Sequence, residues 1–214
     1  MKIKALTYLF CTLLGPFLVS VHAQVAVEYA VENSAQAAVQ KLGIEMMKGN
    51  FKYGHERMYP RWKRRLATRC GGIEKLDAEL AAAAQQKINM RLAVTAYRAD
   101  RPTSFFSVWK AKKIDPRTGK PMVDATGREM VVEHWLAIVP TVTRVKIPDM
   151  QRGGKMRVLE EDSYAVAIAE KGSRDWYFMT GMKPTINDLR SLFPSLPPTA
   201  RELRLPASKV REIK

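Results

Sequence analysis

The spacing of the hydrophobic residues changes once along the chain, near Arg91, and this change limits the possible folds. Before Arg91, apolar residues recur every three or four positions, which is typical of amphipathic helices. After it, aromatic and β-branched residues alternate with polar ones, which is typical of strands. Because short turns rather than long crossovers separate the strands, we expect an α+β fold in which the N-terminal helices pack on an antiparallel sheet.

Three helices are predicted in the first half of the chain. They cover residues 25–48, 51–68 and 71–90, and Pro60 interrupts the second. The third carries apolar residues at helical spacing on one face. These residues are Ile73, Leu76, Leu80, Ala84 and Ile88.

Five strands and a short helix are predicted in the second half. The strands cover residues 92–98, 103–114, 130–143, 156–169 and 175–181. A capping-box pattern from Thr185 to Asp188 opens the helix, and Pro194 ends it. From Pro197 the chain is proline-rich and basic without an apolar period, which indicates a basic tail over residues 199–214. The pattern does not decide whether this tail folds back.

The first 23 residues have the pattern of a signal peptide. Lys2 and Lys4 precede an uncharged apolar run, and the small residue Ala23 suits a signal peptidase. We therefore predict export to the periplasm or the cell exterior. Cleavage would leave one domain at residues 24–198 and no transmembrane segment. An uncleaved anchor is the alternative, because no charge follows Lys4 before Glu28.

Charge and cysteine content limit how such an exported domain is stabilised. The chain has 36 basic and 21 acidic residues, a net charge of +15. Removal of residues 1–23 leaves 34 basic against 21 acidic residues, or +13, and a single cysteine. Cys70 cannot form an internal disulfide, so stability must come from a packed core. We expect Cys70 to be a small buried residue.

Four packing and turn features carry a family resemblance. They are the first helix ending at Lys48-Gly49-Asn50, Met58-Tyr59-Pro60 followed by Gly71-Gly72, the last strand from Arg174 to Phe178, and the closing helix from Ile186 to Pro194. Together they resemble the nuclear transport factor 2-like superfamily, which includes ketosteroid isomerase, SnoaL-like enzymes and uncharacterised secreted bacterial members. The resemblance implies a cone of helices against a strongly bent sheet. It does not imply one activity, because this fold hosts many.

The sequence assigns no catalytic residue. Apart from His22, only His55 and His134 are present, without partners at metal-ligand spacing, so no metal or cofactor is expected. The resemblance implies that a site would combine tyrosine and carboxylate in an apolar pocket. We therefore name Tyr97, His134 and Tyr164 as candidate ligand-binding residues. Strand alternation places His134 on an apolar face that could line either core or pocket.

Residues 51–69 carry seven basic side chains interleaved with aromatic ones. In an exported protein such a surface predicts contact with an anionic envelope component, such as lipid headgroups or cell-wall polymers. Nucleic acid is not expected as a partner, and a solvated basic face without a partner is the alternative. The candidate surface residues are Lys52, Arg57, Arg61, Lys63, Arg64 and Arg65.

These observations favour an exported, non-catalytic binding or accessory domain. It would hold a small apolar ligand or a partner protein, either in the cone or on the sheet face. One alternative is a metal-independent isomerase or dehydratase-type enzyme with a Tyr or His plus carboxylate pocket. Another is a basic surface for envelope polyanions. Pairing of two copies through an open sheet face is a further prediction.

Overall fold

The computed structural model describes residues 27–113, 115, 120–149 and 153–213, so the predicted signal peptide lies outside the described residues. Four helices precede the strands, and a fifth follows the fifth strand. Every strand pair within the sheet is antiparallel, and the sheet is open. The predicted α+β class is confirmed.

Five helices and six strands lie in the described residues. The helices are α1 (Tyr29–Met47), α2 (Lys52–Glu56), α3 (Pro60–Cys70), α4 (Ile73–Asn89) and α5 (Ile186–Leu192). The strands are β1 (Ala93–Ala99), β2 (Ser104–Lys112), β3 (Val131–Asp149), β4 (Lys155–Glu170), β5 (Tyr177–Phe178) and β6 (Lys209–Ile213). Pro60 splits the predicted second helix because proline fits the first turn of a helix but not its interior.

A long hairpin of β3 and β4 forms the centre of the sheet. The two strands pair from His134–Glu170 to Asp149–Lys155, so β3 extends beyond its predicted end at residue 143. Because both strands are long, each pairs with two shorter strands on its outer side. β2 and β1 follow one another along β3, and β5 and β6 follow one another along β4.

Both faces of this hairpin are buried at its centre. Leu136 and Ile138 lie in a cluster with residues of α3, α4 and α5, whereas Ala137 and Val139 lie in a cluster with α1. Adjacent strand residues point to opposite faces, so helices cover both sides of the sheet here. The face expected to be open for a ligand or a second copy is therefore covered at this level.

α1 satisfies the free backbone edge of β1 with two glutamine side chains. The Gln40 carboxamide accepts a hydrogen bond from the Ala99 N–H (2.8 Å) and donates one to the Tyr97 carbonyl (3.1 Å). Gln36 donates to the Ala99 carbonyl (2.8 Å). An edge occupied in this way cannot serve as a template for another strand.

Gly43 allows α1 to approach β1 closely. The residue is buried, and a Cβ atom at this position would overlap the ring of Tyr97. Glycine lowers helix stability by roughly 1 kcal/mol relative to alanine, so its place inside α1 is explained by packing rather than by helix propensity.

The segment after Pro197 folds back onto the domain. Leu203 is fully buried in the cluster of α3, α4 and α5, and its carbonyl accepts a hydrogen bond from Ser104 (2.9 Å). β6 then pairs with β4, where Arg211 forms ion pairs with Glu160 and Asp162. β6 was not predicted, because two leucines, Leu203 and Leu205, and ion pairs, rather than an apolar period, hold this segment.

Replacing Gly43 with alanine should lower the free energy of unfolding by about 1–3 kcal/mol, the usual cost of overpacking a core. The added methyl group forces the Tyr97 ring or the whole of α1 to move. Chemical denaturation of the purified variant measures the change.

The control is the same substitution in a Tyr97→Ala background. Removal of the ring opens the space, so Gly43→Ala should then cost little or even stabilise the helix. An equal penalty in both backgrounds would contradict the packing explanation.

Candidate functional site

The three predicted ligand-binding residues lie in three different places. Tyr97 packs under α1, and burial raises the pKa of its hydroxyl, although a hydrogen bond with Thr141 opposes the shift. Tyr164 faces Pro140 across the hairpin, six positions from His134, or ~20 Å along the strands. The Lys183 ammonium lies 5.1 Å from the Tyr164 ring centroid. These residues do not form one pocket.

Side chains fill the interior in which a ligand was expected. Met58, Trp62 and Met179 are buried in the cluster of α3, α4 and α5. The Trp62 indole N–H donates to the Thr180 carbonyl (2.8 Å), which fixes the ring in place. This part of the interior is therefore core rather than pocket.

His134 lies in an open pocket of about 340 Å³ between β3, β4 and the start of α3. Glu170 is directly opposite it on β4, and the Tyr59 ring centroid is 6.4 Å from the imidazole centroid. Tyr177 and Asp175 also line the pocket. Burial raises the pKa of both tyrosines. The pocket thus combines imidazole, phenol and carboxylate groups, which can bind a polar group or move a proton.

Four of the predicted surface cations pair with carboxylates, and one of these pairs joins Arg65 to Asp188 (3.6 Å). Lys52 pairs with Glu56 (3.0 Å) and Lys63 with Asp77 (2.8 Å). Arg57 forms an ion pair with Asp175. Arg64 is exposed. Because these ion pairs neutralise several of the cations, the net positive charge that this surface presents to a polyanion is lower.

Three arginines on α3 form a ladder to α5. Arg61, Arg65 and Arg69 are spaced four residues apart, so they lie on one helical face. Arg61 donates to the Leu192 carbonyl (3.0 Å), Arg65 donates to the Ser191 hydroxyl, and Arg69 forms an ion pair with Asp188. Asp188 also completes the predicted capping box with Thr185. These three arginines therefore connect α3 to α5.

A groove along α4 is larger than the His134 pocket. It has a volume of about 530 Å³ and lies between α2, α3 and α4. Charged residues of α2, α3 and α4 form its rim. Leu80, Ala81, Ala84 and Ile88 supply its apolar lining.

The groove exists because the predicted apolar stripe of α4 is only partly covered. Leu76 and Leu80 are buried, but 46% of Ile73 and 54% of Ile88 are exposed. α3 has 11 residues and α2 only five, so neither can cover all 17 residues of α4. The apolar face of α4 is therefore buried at Leu76 and Leu80 and exposed towards its two ends.

His55 lies between the groove and a smaller chamber of about 130 Å³. His55, Leu80 and Ala84 line both cavities, and Phe51 and Lys87 line only the chamber. Burial lowers the pKa of His55, and the positive charge of Lys87 lowers it further, so the imidazole is neutral at pH 7. His55 was not among the predicted ligand-binding residues, because it has no partner at metal-ligand spacing in the sequence.

Cys70 is partly exposed, so the expectation of a buried residue is wrong. It is the last residue of α3, and its thiol donates a hydrogen bond to the Glu79 carboxylate (3.2 Å). This hydrogen bond raises the pKa of the thiol. Neither the helix C-terminus nor the carboxylate favours a reactive thiolate.

No protein-family model, curated protein or solved structure matches the chain. Within the described ranges, no three His, Cys, Asp or Glu side chains are grouped so that they could hold a metal ion. None of the helices in that part of the chain has the length and apolarity needed to cross a bilayer. The α4 groove and the His134 pocket are the candidate sites.

Replacing Asp188 with asparagine should lower the free energy of unfolding at pH 7 by roughly 2 kcal/mol, the worth of a hydrogen bond to a charged group. Burial alone would raise the pKa of Asp188, but the Thr185 N–H and the Arg69 guanidinium hold it below its usual value. The carboxylate therefore stabilises the fold above its unfolded-state pKa. This stabilisation is lost as the pH falls through the lower folded-state pKa.

Urea unfolding of the native protein and the variant between pH 7 and pH 3 measures this effect. The difference between them should shrink below about pH 4, where the unfolded carboxyl group begins to bind a proton. Asp100→Asn is the control, because it removes only an exposed pair with Arg98. A difference that does not change with pH would contradict a role for the charged carboxylate.

Proposed function

We propose that the protein is an exported, non-catalytic binding domain of the nuclear transport factor 2-like type that holds a small apolar ligand in the α4 groove. The uncovered half of the α4 stripe carries this proposal. An apolar surface beside a charged rim, with a volume of about 530 Å³, has the size and composition of a small-molecule site. Export rests on the signal-peptide pattern of residues 1–23.

The packing of the domain supports the groove rather than the cone or the sheet face. Met58 and Trp62 occupy the interior, and helices cover both faces of the central hairpin. A groove of this volume, lined by residues of three helices, also suits a small molecule better than a folded partner. The helices-then-strands order supports the superfamily assignment, which otherwise rests on the four local features.

Burial of an alkyl chain in this groove would supply the binding energy. Each buried methylene group contributes roughly 0.8 kcal/mol, which corresponds to about a fourfold gain in affinity. Primary alcohols of increasing length should therefore bind with affinities that rise by about this factor per carbon until the groove is full.

The test is displacement of the fluorescent probe N-phenyl-1-naphthylamine by these alcohols. Ala84→Trp should weaken probe binding by about tenfold or more, because the indole occupies the space between Leu80 and Ile88. Ala82→Trp is the matched control, since Ala82 is exposed on the same helix and lines neither cavity. Equal effects of the two variants, with unchanged thermal unfolding, would exclude the groove as the binding site.

The His134 pocket favours a second candidate function, that of a metal-independent isomerase or dehydratase. Under this proposal His134 or Glu170 takes a proton from a carbon atom next to a carbonyl group. Tyr59 donates a hydrogen bond to the carbonyl oxygen as negative charge develops there. The convergence of these three groups is the observation that favours this function.

The protein should then catalyse deuterium exchange at the α-carbons of cyclohexanone in D₂O, as followed by NMR. Tyr59→Phe should lower the rate by about 10²-fold, the effect of removing one oxyanion donor. Tyr29→Phe serves as the control, because Tyr29 is 67% exposed on α1. Exchange no faster than that in buffer would remove this candidate.

A further inference from the structure

The charged groups of the small chamber differ from those of the groove beside it, where two lysines, Lys52 and Lys63, are balanced by two carboxylates. Glu56 and Asp77 both line the larger groove, whereas no carboxylate is among the residues that line the chamber. The chamber is lined instead by Lys87, His55 and Thr180, among apolar side chains. Thr180 donates its hydroxyl proton to the Gly54 carbonyl (2.7 Å), so Lys87 and His55 remain as the donors for a ligand.

Three lysines line the two cavities, and Lys87 is the one whose charge is not balanced by an ion pair within the described residues. Its ammonium lies 4.9 Å from the Phe51 ring centroid, and no carboxylate pairs with it among the residues that the structure describes. Lys52 and Lys63 on the rim of the groove are already paired with Glu56 and Asp77. An anion entering from the groove would therefore meet its strongest attraction in the chamber.

We propose that the ligand of the α4 groove is an amphiphile with one anionic head. The head lies in the small chamber against Lys87 and His55, and the apolar chain extends along Leu80, Ala84 and Ile88. His55, Leu80 and Ala84 line both cavities, so the chamber lies next to the groove, and in this proposal one molecule spans the two. This inference rests on the proposed binding function and adds the chemical class of the ligand.

Binding of such a head would be linked to protonation of His55. The charged groups that face His55 are Lys63 on α3, Asp77 and Lys87 on α4, and Lys52 and Glu56 on its own helix. Burial and Lys87 keep the imidazole neutral in the free protein. An anion beside it favours the charged form, so affinity for the anion rises as the pH falls towards the pKa of His55.

The experiment compares decane-1-sulfonate with decan-1-ol by isothermal titration calorimetry below the micelle concentration. The sulfonate keeps its charge at all the pH values used, so only the protein titrates. The native protein should bind the sulfonate about tenfold more tightly than the alcohol, the worth of one charge-assisted contact. Lys87→Met should remove this preference.

Lys75→Met is the matched control, since it removes the same charge from an exposed position on the same helix, outside both cavities. It should preserve the preference for the sulfonate. Between pH 7.5 and pH 5.5, sulfonate affinity should rise several-fold in the native protein and stay constant in His55→Gln. Alcohol affinity should not change with pH in either protein.

Three results would overturn the proposal. They are equal affinities for sulfonate and alcohol, equal losses in Lys87→Met and Lys75→Met, and sulfonate affinity in the native protein that does not vary with pH. Each would leave the groove itself as a binding site, provided that the alcohol still binds. Failure of both ligands to bind would overturn the proposed function as well, so the two failures are distinguishable.

Discussion

The β3–β4 hairpin determines where every other element can lie. The four remaining strands pair with either β3 or β4, and the residues at its centre supply both apolar clusters. The two faces of the hairpin carry side chains of different size. Three of the four buried hairpin residues clustered with α1 are alanines, and Val139 is the fourth, whereas those clustered with the other helices are Leu136, Ile138, Val166 and Ile168. A slip of one residue would exchange these faces. The alanines on the α1 face, together with Gly43, allow α1 to lie close to the sheet.

Local signals predicted most of the elements, and tertiary contacts produced the exceptions. The spacing of apolar residues indicated the helices and strands, and the Thr185–Asp188 pattern correctly predicted a capped helix. β6 has no such signal. It is held by contacts such as that between Arg211 and Glu160, which are 51 residues apart in the chain. The same holds for the arginine ladder. A spacing of four identifies one helical face, but not the Asp188 side chain, 119 residues from Arg69, that this face binds.

The candidate site was less predictable than the fold. Alternation identifies the face on which Tyr97 or His134 lies, but not the element that covers that face. The α4 groove arises from the unequal lengths of α2, α3 and α4, and each of these helices appeared ordinary in the sequence. Helical spacing placed Ile88 on the apolar face of α4 but did not show that this end of the face is uncovered. His55 gave no signal by itself, because its burial, its neighbour Lys87 and the two cavities that it lines all arise from the tertiary structure.

The contacts between α3 and α5 also affect the order in which the core can form. Trp62 and Leu66, from the first third of the chain, share a cluster with Leu189, Phe193 and Leu203 near its end. α3 therefore makes these contacts only when residues 189–203 are available to pack against it. Contacts of such long sequence separation form slowly. We therefore expect this cluster to be completed after the helices themselves have formed.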